Sequence, residues 1–281
     1  MVGIFSGALY FIGFEISLKV LGKLGNKAKF ICQAINYSLC IIIAASSAII
    51  TSPYFFFIGK RASLNWFTGR VFYNVSSLLL EYSVEIEGME HLDKQPYVFI
   101  GNHQSMLDLV WLGSVFSKQA VIISKASVKF VPLLGWFMIL ADDIFISRGN
   151  KQSTSDLFKK ASEILLEKNV CVFFFPEGTR ASHKDGPGLL PFKKGAFLLA
   201  KHAKVPIVPM VASDLYNIYD AKRWIFSGGR IKVKILPPIP ASEITESNFD
   251  NVMQSTWNTM YNALQEISPA RITNDAKIKT N

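Results

Sequence analysis

Acidic residues and cysteines are scarce in this chain of 281 residues. The first shortage leaves a positive charge, and the second argues against a metal site. The 21 aspartates and glutamates are outnumbered by 30 lysines and arginines, which gives a formal net charge of +9 at pH 7. The three cysteines, Cys32, Cys40 and Cys171, lie in apolar runs without metal-ligand spacing. We interpret them as reduced packing residues of an intracellular protein and expect no metal site.

Two catalytic signatures are also missing. No Walker loop is present, which disfavours a phosphate-handling NTPase. No Gly-x-Ser-x-Gly elbow is present, which disfavours a serine hydrolase or lipase. The positive charge indicates anionic partners, but no basic recognition helix or stacking motif for nucleic acid is evident. Anionic lipid headgroups explain the charge with fewer assumptions, so we predict a lipid partner and no nucleic acid.

Charge is absent altogether from one long segment near the N-terminus. Residues 30–59 contain no Asp, Glu, Lys or Arg, and residues 30–51 are long enough to cross the hydrocarbon layer of a bilayer. A buried core helix is the alternative, but such helices seldom lack a polar face over this length. The earlier apolar residues 2–18 include Glu15, and they could form an interfacial helix or pair with residues 30–50 as a hairpin.

Basic residues flank the long apolar segment on both sides. They are Lys19, Lys23, Lys27 and Lys29 before it and Lys60, Arg61 and Arg70 after it. The positive-inside rule places both groups on the cytoplasmic side, which a hairpin that fully spans the bilayer cannot achieve. We therefore predict that residues 1–59 form a membrane-embedded helical segment that inserts into one leaflet.

Beyond this segment, helical and strand-like patterns alternate along the chain. The predicted strands are residues 84–87, 97–101, 120–123, 144–147, 170–175, 207–211 and 230–236. The predicted helices are residues 64–80, 105–116, 153–167, 193–203 and 249–267. This alternation predicts a single α/β domain over residues 60–267, with a largely parallel or mixed sheet flanked by helices. The polar residues 268–281 lack an apolar period, which predicts a disordered tail.

A histidine and an aspartate follow the strand-like residues 97–101. We place His103 on the connecting turn and Asp108 in the first turn of the next helix, because Ser105 begins a Ser-x-x-Asp capping signature. A carboxylate can accept from a backbone N–H and from an imidazole N–H together. The pair could therefore be a general base with its orienting acid, or no more than a capping box beside a polar turn residue.

A second candidate segment follows the apolar run 170–175, which is typical of a buried strand. Ligands of open α/β sheets collect beyond the carboxyl ends of such strands. There Gly178 allows a sharp turn, Glu177 can bond a hydroxyl, and Arg180 offers a planar fork of donors for a phosphate. An ordinary glycine turn with a surface ion pair is the alternative interpretation.

Five sequence blocks occur in one order at compatible spacings. They are Asn102-His103-x-x-x-x-Asp108, the basic residues 125–129, Phe145-Ile146-Ser147-Arg148, Phe175-Pro176-Glu177-Gly178-Thr179-Arg180 and Val205-Pro206-Ile207-Val208-Pro209, with residues 190–197 in support. Over about residues 80–240 the chain resembles the glycerolipid acyltransferase family, and within it most of all the 1-acylglycerol-3-phosphate O-acyltransferases. Asp142 and Ser147 depart from the family pattern, since members often carry Gly and Asp there.

The resemblance implies acyl transfer from acyl-CoA, as co-substrate, to the sn-2 hydroxyl of lysophosphatidate, giving phosphatidate without a further cofactor or metal. His103 would act as the base, since imidazole accepts protons near neutral pH, and Asp108 would fix its tautomer. No covalent acyl-enzyme is then needed. The residues expected to bind substrate are Lys125, Arg148, Glu177, Gly178, Thr179, Arg180 and Lys193, with the basic ones on the acceptor phosphate.

The same resemblance implies a membrane location, in the endoplasmic reticulum with a cytosol-facing active site, although a bacterial inner membrane would suit the same residues. No protein partner is predicted. Glycerol 3-phosphate or another lysophospholipid is the alternative acceptor. A membrane protein that binds anionic lipid without catalysis is the alternative class, and it would tolerate His103→Ala.

Overall fold

A seven-stranded mixed sheet lies at the centre of the structure. The computed structural model describes residues 2–92, 96–146, 161–180 and 186–272. Its strands are β1 (Tyr82–Glu87), β2 (Val98–Gly101), β3 (Ala120–Lys125), β4 (Ile144–Ile146), β5 (Cys171–Phe174), β6 (Ile207–Ala212), β7 (Tyr219–Asp220), β8 (Ile225–Phe226) and β9 (Gly229–Ile235). β7 and β8 form a separate hairpin, and the others have the order β1-β9-β6-β2-β5-β3-β4. Each strand of the large sheet lies where the sequence predicts one.

Helices cover both faces of this sheet. They are α1 (Val2–Gly22), α2 (Asn26–Phe57), α3 (Ser63–Leu80), α4 (Asp108–Val115), α5 (Leu134–Leu140), α6 (residues 161–167), α7 (Gly195–Ala203) and α8 (Phe249–Ile267). Alternation along β2 separates the two faces, because Val98 and Ile100 pack with α6, α7 and α8, whereas Phe99 packs with α2, α3 and α4. The predicted α/β domain with a mixed sheet is confirmed.

The carboxyl ends of the neighbouring parallel strands meet at one edge of the sheet. β2 pairs in parallel with β5 and β6, β3 pairs in parallel with β5 and β4, and β9 runs antiparallel to β6. The segments that follow β2 and β5, and the end of β3, therefore lie along the same edge. This brings together His103, Arg180 and Lys125, which are far apart in the sequence.

The two N-terminal helices pack as a hairpin, one of the arrangements that the sequence left open. Asn36 on α2 donates a hydrogen bond to Glu15 on α1, with Nδ2 and Oε2 3.2 Å apart, so the acid within the apolar run has a polar partner. Among the described residues, α2 is the one helix that is long and apolar enough to cross a membrane.

Helix α2 contacts the α/β domain along most of its length. Near its start, the Phe30 ring packs against Phe226, with ring centroids 5.6 Å apart. Near its end, Phe55 packs against Phe67, with centroids 5.8 Å apart. The remaining surface of α2 exposes the large apolar side chains Ile31, Ile35, Ile42, Ile50, Tyr54, Phe56 and Phe57. A surface of this kind is typical of contact with a membrane.

Two glycines let α3 and α4 approach each other closely. A Cβ atom on Gly113 would lie 2.4 Å from the carbonyl oxygen of Gly69, which a side chain cannot tolerate without moving a helix. Helix α4 is therefore held tightly against α3, and with it the position of its first residue, Asp108.

The helices differ from the sequence-based prediction at several places. α7 begins at Gly195 rather than at residue 193. Residues 153–160 of the predicted helix 153–167 lie outside the described residues. α4 begins at Asp108 rather than at residue 105, because residues 105–107 form a turn with 3₁₀-type hydrogen bonds such as Val110 N to Leu107 O at 2.9 Å. α5 is not predicted at all. Its seven residues are apolar or glycine throughout, so they show no helical periodicity.

The first residues of the predicted tail contact the folded domain. Ser268 Oγ accepts a hydrogen bond from Asp214 N at 2.9 Å, and Arg271 Nε lies 2.5 Å from Asp214 Oδ2. Residues 268–272 therefore belong with the domain. Residues 273–281 lie outside the described residues, and their disorder stays a prediction.

Asp143 is a buried carboxyl group at the start of β4. Its Oδ1 accepts hydrogen bonds from Ile122 N at 2.7 Å and from Asn65 Nδ2 at 2.8 Å, which connect β3 and α3 to this position. Burial raises the pKa of Asp143 to about 8. The folded protein thus keeps a proton that the unfolded chain releases at about pH 4.

This proton predicts a stability that falls as the pH rises from about 4 to about 8, because the folded state binds more protons than the unfolded state over that range. Asp143→Asn keeps the shape of the side chain and removes its titration. The variant should therefore lose this part of the pH dependence of the melting temperature. Thermal unfolding of both proteins across the pH range measures the effect, and parallel curves would contradict it.

Candidate active site

The turn after β2 is fixed by two amide side chains that bind the end of β6. Asn102 donates to Ala212 O at 2.9 Å and accepts from Ala212 N at 2.8 Å, which copies the bonding of a neighbouring strand. Gln104 donates to Ala212 O at 3.1 Å and to Ser213 O at 2.9 Å. The backbone of His103 lies between these two anchors and is held from both sides.

His103 and Asp108, the predicted base and its acid, are in direct contact. His103 Nδ1 lies 2.7 Å from Asp108 Oδ2. The same oxygen accepts from the backbone N–H groups of Gln104 and Ser105 at 2.8 and 3.0 Å, and Trp111 Nε1 donates to Oδ1 at 3.4 Å. A carboxylate only accepts, so Nδ1 is the donor and Nε2 carries the free lone pair of a neutral ring. The side chain of Asp108 thus both orients the imidazole and caps the turn.

The imidazole ring is held in place without being covered. It stacks on Phe175, with ring centroids 3.9 Å apart and an angle of 16° between the planes. The side chain of His103 is 19% exposed, whereas that of Asp108 is 2% exposed. The acid is therefore shielded from water, while the base keeps an edge that a reactant can approach.

A tyrosine of the N-terminal hairpin reaches the same turn. Tyr37 on α2 donates a hydrogen bond from its hydroxyl to Met106 O, at 2.5 Å, and the residue is fully buried. The long apolar helix thus contacts the segment between His103 and Asp108 directly.

Glu177 occupies a structural position in this site. Its Oε1 accepts from His103 N and its Oε2 accepts from Leu190 N, each at 2.8 Å, and the side chain is buried. Burial raises the pKa of this carboxyl, and the two backbone N–H donors act in the opposite direction. Glu177 therefore connects the histidine turn to the segment before α7. Its predicted contact with a substrate hydroxyl stays a prediction.

The glycine turn after β5 brings two cationic side chains together. Gly178 has a φ of 68°, the left-handed conformation that the predicted sharp turn requires. A Cβ atom there would lie 2.6 Å from Lys193 Nζ, so the ammonium group rests directly over the glycine. Lys193 is held by a hydrogen bond from its backbone N–H to Pro176 O at 2.8 Å. The ammonium group therefore lies beside the segment that carries Arg180.

A cavity of about 560 Å³ begins beside His103 and collects most of the predicted site residues. Those on its wall are His103, Asp108, Lys125, Gly178, Arg180 and Lys193. The rest of the wall is largely apolar and includes Ile41, Phe72, Leu112, Phe137 and Met138, from α2, α3, α4 and α5, and Phe116, which follows α4. Glu177 lies behind the wall, Thr179 is exposed outside it, and Arg148 lies outside the described residues.

Three cations mark the open end of this cavity. Lys125, Arg180 and Lys193 are all exposed and all contribute to its wall. Within the described part of the chain, none of them forms an ion pair with a carboxylate. Positive charge is therefore available for an anionic group at a cavity whose wall also contains the His103 ring and many apolar side chains.

Comparison with known proteins shows the family of this chain. Residues 83–213 match the family model described as acyltransferase. A 1-acyl-sn-glycerol-3-phosphate acyltransferase of Saccharomyces cerevisiae is 36% identical over 245 residues, which cover 86% of this chain and 80% of the yeast protein. The chain belongs to the acyltransferase family.

Human relatives of this acyltransferase extend the match. The human 1-acyl-sn-glycerol-3-phosphate acyltransferase alpha is 37% identical over 186 residues, which cover 66% of this chain and 65% of the relative. The human beta form is 30% identical over 260 residues, or 89% of each chain. A crystal structure of the 1-acyl-sn-glycerophosphate acyltransferase of Thermotoga maritima superposes with a TM-score of 0.67 at 21% identity, covering 88% of this chain and 100% of the other. The last likeness establishes the fold.

Asp142 explains one departure of this acyltransferase from the family pattern. Its φ is 62°, which lies in the left-handed region where glycine, the residue that members often carry here, is favoured. The Asp142 carboxylate pairs with Arg61 Nη1 and Lys168 Nζ, each at 2.8 Å. These two contacts stabilise the turn at a position where the backbone is strained. Ser147, the other departure, lies outside the described residues.

We expect Glu177→Gln to lower turnover more than it weakens acceptor binding. An amide can accept from one backbone N–H but turns its NH₂ group toward the other, so one of the two bonds is lost and the histidine turn loosens. The free energy of unfolding should fall by roughly 1–3 kcal/mol. Steady-state kinetics and thermal unfolding measure these changes.

A matched control is Glu266→Gln, which alters an exposed ion pair with Lys234 far from the cavity. It should leave turnover unchanged. A raised KM for the acceptor with normal turnover in Glu177→Gln would instead support contact with a substrate hydroxyl.

Proposed function

We propose that this acyltransferase transfers an acyl group from acyl-CoA to the sn-2 hydroxyl of 1-acylglycerol 3-phosphate, giving phosphatidate. The observation that carries the proposal is that one cavity is lined by the His103 ring, oriented by Asp108, by a cluster of exposed cations and by apolar side chains. The names of the yeast and human relatives support this acceptor. The phosphate of the acceptor needs the cations, its reacting hydroxyl needs the imidazole, and the fatty chain needs the apolar wall. The reaction requires all three side by side.

His103 Nε2 supplies the base. It accepts the proton of the acceptor hydroxyl as the oxygen attacks the thioester carbonyl, and Asp108 stabilises the imidazolium that forms. Collapse of the tetrahedral intermediate breaks the carbon–sulfur bond, and the coenzyme A thiolate takes up the proton from the imidazolium. The acceptor hydroxyl has the role of the serine in a hydrolase triad, so no covalent acyl-enzyme forms.

The cations position the acceptor. Arg180 can bind a phosphate through two parallel N–H donors, and Lys125 and Lys193 add positive charge at the same opening. Binding the phosphate there brings the glycerol hydroxyl toward His103, which supplies the proximity that a bimolecular reaction lacks. Arg148 keeps its place in this proposal as a further phosphate ligand.

The apolar part of the cavity accommodates the acyl chain. Its wall comes from four helices, and the hydrocarbon loses contact with water as it enters. The thioester carbonyl at the end of that chain is then left beside the imidazole. No metal or further cofactor takes part in this route.

The N-terminal hairpin holds the enzyme in one leaflet of the membrane. Because α2 packs on the domain from Phe30 to Phe55, a helix that crossed the whole bilayer would take part of the domain into the hydrocarbon layer with it. Insertion into a single leaflet keeps the domain in water and exposes only the apolar side chains of the hairpin to lipid. An endoplasmic reticulum membrane with the site on its cytosolic side is the location we propose.

His103→Ala should reduce phosphatidate formation by roughly 10²–10⁴-fold, because the hydroxyl then has no positioned proton acceptor. Asp108→Asn should also lose most of the turnover, since the ring loses the charge that orients it and stabilises its protonated form. Assays with lysophosphatidate and acyl-CoA in detergent measure both. His202→Ala, an exposed histidine on α7, is the control. Normal turnover by folded His103→Ala would overturn the assignment of His103 as the base. Absence of turnover in the unaltered protein would favour lipid binding without catalysis.

Arg180→Ala should raise the KM for lysophosphatidate by roughly 10–100-fold, the loss expected for one or two charged hydrogen bonds to phosphate. Arg180→Lys should recover part of the loss as a point charge without the planar fork. A monoacylglycerol, which has no phosphate, should be equally poor with all three proteins. Arg230→Ala, at an exposed ion pair with Glu85, is the control. An unchanged KM would remove Arg180 from the acceptor site.

A further inference from the structure

A second exposed apolar surface lies outside the N-terminal hairpin, on and just before α5. Phe130, Val131, Trp136 and Ile139 are 84%, 43%, 54% and 47% exposed. These four side chains are here named the α5 patch. Water-soluble surfaces seldom place several large apolar side chains in one short segment, and where they do the segment is commonly a site of contact.

Helix α5 has no polar face. Its sequence, Leu-Gly-Trp-Phe-Met-Ile-Leu, contains no charged or hydroxyl side chain. Phe137 and Met138 face the interior and are buried, while Trp136 and Ile139 face outward. A surface helix in water normally has polar residues on its outer side, so the outer side of α5 suits an apolar medium.

The patch adjoins the membrane helix. The inner side of α5 packs in one apolar cluster with Ala45 and Ala48 of α2. Arg61, shortly after the end of α2, donates to Leu140 O at 3.0 Å and to Ile139 O at 3.1 Å. These contacts hold α5 next to α2. A leaflet into which α2 inserts therefore also lies beside α5.

Charge and position indicate which apolar medium the patch meets. Exposed Lys125 and Lys129 precede it, and lysines beside exposed aromatic and aliphatic side chains are typical of the interface of an anionic bilayer. Val128, Leu134 and Phe137, which alternate with the patch residues, line the cavity. The patch therefore lies next to the active-site cavity rather than at a remote surface.

We propose that the α5 patch inserts into the interface of an anionic bilayer, as a second membrane contact besides the hairpin, and holds the cavity entrance at headgroup level. The inference deepens the proposed function and rests on it for one consequence: a lysophospholipid acceptor then passes from the leaflet to His103 without entering bulk water. A second copy of this chain is the competing occupant of the patch.

Cysteine labelling in the full chain tests the contact itself. The native cysteines are all buried, so Phe130→Cys and Trp136→Cys each offer one accessible thiol for an environment-sensitive fluorophore. On vesicles of phosphatidylcholine with phosphatidylserine, both probes should shift to shorter wavelengths and be quenched by spin-labelled lipid. Leu166→Cys on α6 is the matched control, because Leu166 is 53% exposed against 54% for Trp136 but lies on the other face of the sheet. Its probe should stay in water.

Two results of this labelling would overturn the proposal. One is vesicle-bound protein whose probes at positions 130 and 136 remain in water. The other is a probe that becomes shielded without vesicles as the protein concentration rises, which would show that a second copy covers the patch.

A kinetic comparison tests the consequence. The triple variant Phe130→Ser, Trp136→Ser and Ile139→Ser should lose several-fold in turnover of long-chain lysophosphatidate in vesicles, and should keep its turnover of a short-chain, water-soluble acceptor. Leu166→Ser should change neither. If no protein acylates any acceptor while the probes still enter lipid, the proposed function fails and the membrane contact stands. If the triple variant uses both acceptors normally, the proposed delivery of the acceptor through the patch is wrong, while the proposed function stands.

Discussion

One buried carboxylate organises the centre of this enzyme. Asp108 Oδ2 accepts from the His103 ring and from two backbone N–H groups at the same time, at the first residue of α4. The amino end of a helix is favourable for negative charge, so the carboxylate is stabilised where it stands. Because one side chain closes the turn and orients the ring, local folding and the geometry of the proposed proton transfer depend on the same residue.

The surroundings of this carboxylate keep the turn rigid. Asn102 binds it to the end of β6, Glu177 binds it to the segment before α7, and Phe175 supports the imidazole from one face. The contacts come from the end of β6 and from the segment after β5, and they meet at this turn because parallel strands end at the same edge of the sheet. If His103 is the base, as proposed, it is already oriented and needs no rearrangement when substrate arrives.

Local patterns were sufficient to predict the strands of the large sheet. They allowed a contact between His103 and Asp108, which are close in sequence, and the family resemblance favoured it over a simple capping box. Other features depend on tertiary structure and left no local signal. α5 is too short and too uniformly apolar to show a period, and the carboxylate of Glu177 looks available for substrate until the N–H groups of His103 and Leu190 are found bonded to it. Arg148 lies outside the described residues, so its role remains a sequence-based proposal.

The hydrogen bond from Tyr37 to the carbonyl of Met106 changes how the N-terminal hairpin should be regarded. A detachable tether would not contact the His103 turn, whereas this helix supports that turn directly. Trimming the first 59 residues would therefore not give a smaller, water-soluble enzyme. It would uncover Phe72 and Phe226, which α2 now covers, and leave the Met106 carbonyl, three residues from the histidine, without its donor.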